Sequence, residues 1–239
     1  SQQLELDEIK LRFFTNISHE FRTPLTLILT PLDELLKKKE DSEEKELLLI
    51  IRKNAKNLLN LVNQLLDFRK LDVNGHTLQP SVGDIVLFVK DLCNSFDELM
   101  QRKSIKLSFA SSIDHLYARF DEDKLSKALL NILSNAHKFT PANGEVKVNM
   151  ELVELPDNKT EKSIRIRISD SGIGIPTDKL DKIFERFYRE DKSRARESGG
   201  YGLGLAIAKA ITTACKGSIK VYSKKNEYTE FTVKIPVAK

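Results

Sequence analysis

Two different periods of apolar residues divide the chain. From Leu11 to Leu35, the positions Leu11, Phe14, Ser18, Phe21, Leu25, Ile28, Leu32 and Leu35 advance by alternating steps of three and four. A second run keeps the same rhythm at Leu47, Ile51, Asn54, Leu58, Leu61, Leu65 and Phe68. That is a heptad seam, the pattern of helices wound together at shallow angles. The charged stretch from Lys37 to Lys45 breaks both runs and predicts the turn of a helical hairpin. Two helices cannot hide both seams and their flanking leucines, so the pattern predicts two hairpins in a four-helix bundle, and hence a homodimer. A monomeric hairpin packed against the rest of the chain is the alternative.

After Leu71 the period changes. The segment DVNGHTLQPSVGD reads as a linker, and Ile85 to Met100 has helical spacing with Asp84 as its N-cap. Short β-rich segments follow at Ile105–Ala110 and Leu116–Phe120, then a helix over Asp121–Thr140 with Leu125, Leu129, Ile132, Leu133 and Ala136 on its buried side. Glu145–Leu155 and Ser163–Asp170 flank a polar tip and predict a hairpin. A last helix is expected over Leu203–Ala214, and a final strand pair over Ser218–Ser223 and Tyr228–Pro236. Helices mixed with antiparallel strands predict an α+β fold, a sheet covered on one face. The expected organisation is a hairpin over 1–72, a linker over 73–83 and a second domain over 84–239.

Composition narrows the function. Thirty-nine basic against thirty-five acidic side chains leave a net charge of +4, too small and too mixed to point to direct nucleic-acid binding. The two cysteines, Cys93 and Cys215, lie in apolar stretches and read as reduced thiols. No stretch has the length and apolarity of a membrane span. The opening SQQLELDEIK already reads as helix, without a cap or a methionine, so we expect a piece of a longer protein.

The first candidate for chemistry is His19, in NISHEFRTPLTLI. It follows the seam position Ser18 and so lies beside the apolar stripe. A neutral imidazole keeps one lone pair for nucleophilic attack. Glu20 could hold the other ring nitrogen and accept its proton. Thr23 could orient a water for the reverse, hydrolytic reaction, and Pro24, lacking an amide hydrogen, would loosen the helix locally. No second His, Cys or carboxylate stands at a ligand spacing, which argues against a metal site here.

A second constellation lies further on. Asn131, Asn135 and Lys138 recur at steps of four and three and share a helix face opposite the leucines. That face is either a solvated stripe or one turned to phosphate, with an amide oxygen for a hard cation and a lysine for charge. DSGIGIP, 170–176, follows a strand; Asp170 could accept a hydrogen bond from the exocyclic amine of adenine, while Gly172 and Gly174 admit the base closely. IFERFYRE places Phe184, Phe187 and Tyr188 at a short helical spacing. A charged loop follows, whose Lys192, Arg194 and Arg196 are either phosphate contacts or a solvated edge. In GYGLGLAIAKA, Gly200, Gly202 and Gly204 could turn backbone amides toward phosphate at a helix start. The GxGxG spacing after a loop is neither a dinucleotide fingerprint nor a Walker loop.

His-Glu-x-x-Thr-Pro in a heptad helix resembles the phosphoacceptor box of histidine kinases of the HisKA class. NILSNAHKFT, DSGIGIP, IFERFYRE and GYGLGLAIAKA resemble the N box, first glycine box, F box and second glycine box of the GHKL ATPases and kinases. The five boxes come in family order and spacing across nearly the whole chain. The resemblance implies a dimeric four-helix bundle followed by a GHKL (Bergerat) sandwich, a mixed sheet covered on one face by helices. It implies ATP and Mg2+ as cofactors, with Asn135 as the magnesium ligand, and nucleotide contacts from Asn131, Asn135, Lys138, Asp170, Gly172, Gly174, Phe187, Gly200, Gly202 and Gly204. The reaction implied is autophosphorylation of His19, assisted by Glu20 and Thr23, followed by transfer to an aspartate of a receiver domain. SHEFRTPLTLI with SNAHKFTP looks particularly like hybrid two-component kinases, in which the receiver shares the polypeptide. The expected setting is the cytoplasmic portion of an inner-membrane sensor. Two alternatives remain at this point: an ATPase of the chaperone or mismatch-repair kind, and a dimeric scaffold without turnover.

Overall fold

The computed structural model describes residues 21–37, 43–73, 78–155, 158–186, 188 and 202–237. The chain divides into two compact units, Ser1–Gly75 and His76–Lys239.

In the first unit, helix α1 is described over 21–37 and is helical throughout, Pro24 included, and α2 spans Glu43–Val73. The two run antiparallel: Arg22 Nη2 donates to Asn63 Oδ1 at 2.7 Å, and Arg52 pairs with Asp33 further along. Leu25 and Leu29 pack with Ala55 and Leu59, and Leu32, Val62 and Leu66 are buried as well. Six of the predicted seam positions are not in this interior. Phe21, Ile28, Leu35, Leu47, Ile51 and Leu58 stay between 42% and 60% exposed. The hairpin thus carries one apolar face inward and a second one outward.

The second unit begins earlier than the linker expected over 73–83 would allow. Helix α2 runs to Val73, and Ser81–Asp84 forms strand β1, paired antiparallel with β3 (Tyr117–Phe120) in a two-stranded sheet of its own. Four residues containing Gly83 are too few to display an alternation. Asp84 then starts α3 (Ile85–Arg102): its Oδ1 accepts from Val86 N and Leu87 N, and from Leu116 N across the loop. His115 Nδ1 pairs with the other oxygen at 2.6 Å.

Strands β2 (Lys106–Ser111), β4 (Glu145–Leu155), β5 (Asn158–Asp170), β6 (Ser218–Lys224) and β7 (Tyr228–Val237) form a five-stranded sheet in the order β2-β4-β5-β7-β6. The β2–β4 pair is parallel and the others are antiparallel, so the sheet is mixed. Alternation decides its two faces. Val146, Val148 and Met150, Ile164, Ile166 and Ile168, and Phe231, Val233 and Ile235 turn inward and are buried. Lys147, Arg165, Arg167 and Lys234 lie on the opposite phase. Helices α3, α4 (Glu122–Phe139) and α5 (Gly204–Ala214) cover the apolar face. Their buried positions recur at helical spacing, as in Leu125, Ala128, Leu129, Ile132, Leu133 and Ala136 of α4. This is the α+β arrangement expected, with helices on one side of the sheet.

Candidate functional site

The site is built around α4. Asp121 caps the helix, accepting from Lys124 N at 3.0 Å through Oδ1 while Oδ2 accepts from Gln79 N at 2.8 Å. The apolar positions face the sheet, which leaves Asn131, Asn135 and Lys138 half-buried along another face. At the far end, Lys103 Nζ donates to the His137 and Lys138 carbonyls, and the buried Thr140 donates its hydroxyl to Ala136 O at 2.6 Å. Lys138 Nζ stands 4.9 Å from the centre of the Phe139 ring. Burial and the nearby Lys103 charge hold His137 below its ordinary pKa.

Asp170 ends β5 on the inward phase, where the alternation asks for an apolar residue. It is 6% exposed, and burial pushes its carboxyl from the ordinary 3.8 up to about 6, although Gly172 N donates to Oδ1 at 3.0 Å. The chain then turns against the end of α4. Ile173 N faces Phe139 O, and a Cβ on Gly172 would lie 2.8 Å from that same oxygen. Gly174 takes φ +62° and presses on the β6–β7 turn, where a Cβ would meet Lys224 O at 2.1 Å. No other residue type fits there.

The third piece is the start of α5. Gly202 has φ +72°, Leu203 is fully buried, and no side chain caps the helix, nor does its first turn hold an acidic residue. The first-turn amides and the positive end of the helix dipole are therefore suited to an anion. A Cβ on Gly204 would stand 3.0 Å from Asn131 Oδ1, so the helix start lies directly against α4.

These three pieces bring together Asn131, Gly204, Asp170, Gly172 and Gly174, with Asn135 and Lys138 on the intervening face of α4. The donor set suits a magnesium ion that takes most ligands from phosphate and water: Asn135 offers one amide oxygen, and no cluster of three His, Cys, Asp or Glu exists among the described residues. Thr23 is exposed on α1. His19, Glu20, Phe187, Gly200 and the loop residues Lys192, Arg194 and Arg196 lie outside the described residues. Phe184 belongs to no regular helix: after a 3-10 turn at Thr177–Lys179 the chain continues through turns to Arg186.

Sequence reasoning passed over Thr229. It is 6% exposed and in register with Asp170 on β7, and its hydroxyl lies 3.0 Å from Ser223 Oγ. The signal was present, since a polar residue occupies an inward position of YTEFTVKI.

Comparison with known proteins agrees with the geometry. Residues 120–239 match the family model "Histidine kinase-, DNA gyrase B-, and HSP90-like ATPase", and residues 9–74 match "His Kinase A (phospho-acceptor) domain". The chain is 38% identical over 234 residues to hybrid signal transduction histidine kinase D of Dictyostelium discoideum, covering 98% of this chain and 15% of that protein. It is 33% identical over 238 residues to sensor histidine kinase WalK of Bacillus subtilis, covering 99% of this chain and 38% of the relative. The chain therefore spans well under half the length of these relatives. Full-length ShkA, solved in complex with AMPPNP, superposes with a TM-score of 0.79 at 29% identity, covering 95% of this chain and 46% of that one. A phospho-acceptor hairpin ahead of a GHKL-type ATP-binding domain places this chain in the sensor histidine kinases of two-component systems, as their catalytic core.

Proposed function

We propose that the chain transfers the γ-phosphoryl group of ATP to its own His19. The observation that carries this is a buried carboxyl, Asp170, held at a strand end just ahead of two glycines whose backbones approach α4 and the β6–β7 turn. Asp170 accepts the exocyclic amine of adenine, and Thr229 places a second polar group one strand away. Lys138 and the amides at the start of α5 face the phosphates. Asn131 and Asn135 present amide groups between them, Asn135 as the metal ligand. Bound there, Mg2+ would neutralise charge on the phosphate oxygens. Neutral His19 attacks the γ-phosphorus in line: an N–P bond forms, the bond to the bridging oxygen breaks, ADP leaves and Glu20 takes the ring proton. Thr23, exposed on α1, serves the reverse reaction by orienting water.

The outward apolar face of the hairpin supports a homodimer, a second copy covering Ile28, Ile51 and Leu58 in a four-helix bundle. The phosphoryl group passes on to an aspartate of a receiver domain, and the likeness to a hybrid kinase favours a receiver in the same polypeptide. No described helix is long and apolar enough to cross a membrane, and the setting we propose is the cytoplasmic portion of an inner-membrane sensor. The phospho-acceptor match over 9–74 favours this reading over an ATPase of the chaperone kind.

Incubation with γ-labelled ATP tests the proposal. His19→Gln should lose all label while still binding magnesium–ADP, and Asp170→Ala should lose binding itself. Undiminished labelling of His19→Gln would overturn the assignment.

A further inference from the structure

One contact in the second unit lies outside the roles assigned above. Lys209, in the middle of α5 and exposed, holds Nζ 5.4 Å from the centre of the Phe184 ring. Phe184 in turn meets Phe231 edge-on, with centroids 6.2 Å apart and planes at 84°. Phe231 is 4% exposed and in register with Ile168, two residues before Asp170. A chain of contacts thus runs from the inner sheet face beside Asp170, through one ring, to a cation on the helix whose start faces phosphate.

The arm that starts at Asp170 continues through 3-10 and turn geometry to Arg186, with short-range bonds such as Ile183 N to Lys179 O and Glu185 N to Lys182 O. Gly204 lies five residues before Lys209, about 7.5 Å along the helix axis. The Lys209–Phe184 contact therefore links the Asp170 arm to α5 within two turns of the helix start that faces phosphate.

We infer that Lys209 is a positioning residue. Its cation, seated on the Phe184 face, fixes α5 relative to the Asp170 arm and so sets the distance over which a nucleotide must reach. The inference rests on the nucleotide reading above. A lysine suits this place because the ring face attracts a cation with a preferred geometry even at an exposed site, whereas an aliphatic side chain would only cover the ring.

The test uses the full chain and magnesium–ADP, titrated calorimetrically, with KM for ATP and kcat measured alongside. Lys209→Met keeps the stem and removes the cation. It should weaken magnesium–ADP binding by about two- to five-fold, the strength expected of an exposed cation–ring contact. KM should rise in proportion, with kcat unchanged. Lys209→Arg, which also places a cation on the ring, should restore wild-type affinity. In a Phe184→Leu background, Lys209→Met should have no further effect. Should Phe184→Leu fail to fold, the two Lys209 variants decide alone, both being surface changes. Wild-type affinity in Lys209→Met, an equal loss in Lys209→Arg, or a fully additive loss in the double variant would overturn the inference. A wild-type chain that fails to bind magnesium–ADP would overturn the nucleotide reading, and the positioning role with it.

Discussion

Replacing Asp170 by Asn should stabilise the fold while destroying its purpose, and the sign can be worked out. The carboxyl has an ordinary pKa of 3.8 when unfolded and about 6 in the folded chain, raised by burial. Below the unfolded value both states hold the proton and the group costs nothing. As pH rises through the folded value, the native state must ionise a desolvated carboxyl, and stability is lost. A shift of about two units corresponds to ~3 kcal/mol, complete above pH ~6 to 7. Asn cannot ionise, and its Oδ1 can still accept from Gly172 N. Relative to wild type, Asp170→Asn should gain little at pH ~4 and ~3 kcal/mol at pH ~8. All five tyrosines, at 117, 188, 201, 222 and 228, lie in the second unit and the chain has no tryptophan. Tyrosine fluorescence during urea unfolding therefore reports that unit. With magnesium–ADP at a thousand times its Kd the order should reverse even at pH ~8, since wild type gains about 4.1 kcal/mol and the variant gains none. A difference between the two proteins that does not change with pH would refute the reasoning.

Gly174→Ala sets a Cβ 2.1 Å from Lys224 O at φ +62° and must disturb the bonds Asn226 N to Ile173 O and Ile175 N to Ser223 Oγ. Left-handed strain plus two hydrogen bonds amount to roughly 3 kcal/mol, so magnesium–ADP affinity should fall about a hundredfold by titration. Asp121→Ala removes the α4 cap and the acceptor for Gln79 N; urea unfolding followed by tyrosine fluorescence should show a loss of about 1–2 kcal/mol. Ile28→Lys puts a charge on the outward face of the hairpin, where Ile28 is 48% exposed; if that face holds the proposed dimer, light scattering should report a monomer, without loss of helicity.

Much of this was legible in the residues because the polar ones interrupt an otherwise regular apolar rhythm. Asp84 and Asp121 stand where helices must be capped, and α3 and α4 begin directly after them. Asp170 breaks the inward run of Ile164, Ile166 and Ile168, and the glycines that follow fill places where a Cβ would meet backbone. Other features leave no local trace. Strand β1 is four residues long and its pairing with β3 joins Ser81 to Phe120 and Asp84 to Tyr117, far apart in the chain, so Pro80 and Gly83 read as linker. A heptad pattern marks apolar positions but not which copy covers them: Leu25, Leu29, Ala55 and Leu59 meet inside one hairpin, while Ile28 and Ile51 do not. Phe184 and Lys209 are joined by tertiary packing between a turn and a helix, which no spacing announces.

Mass spectrometry at neutral pH after incubation with magnesium–ATP measures directly where the phosphoryl group goes. A single phosphorylated residue, His19, is the predicted result. Phosphate found on another side chain, or released to water with none retained on the protein, would contradict it.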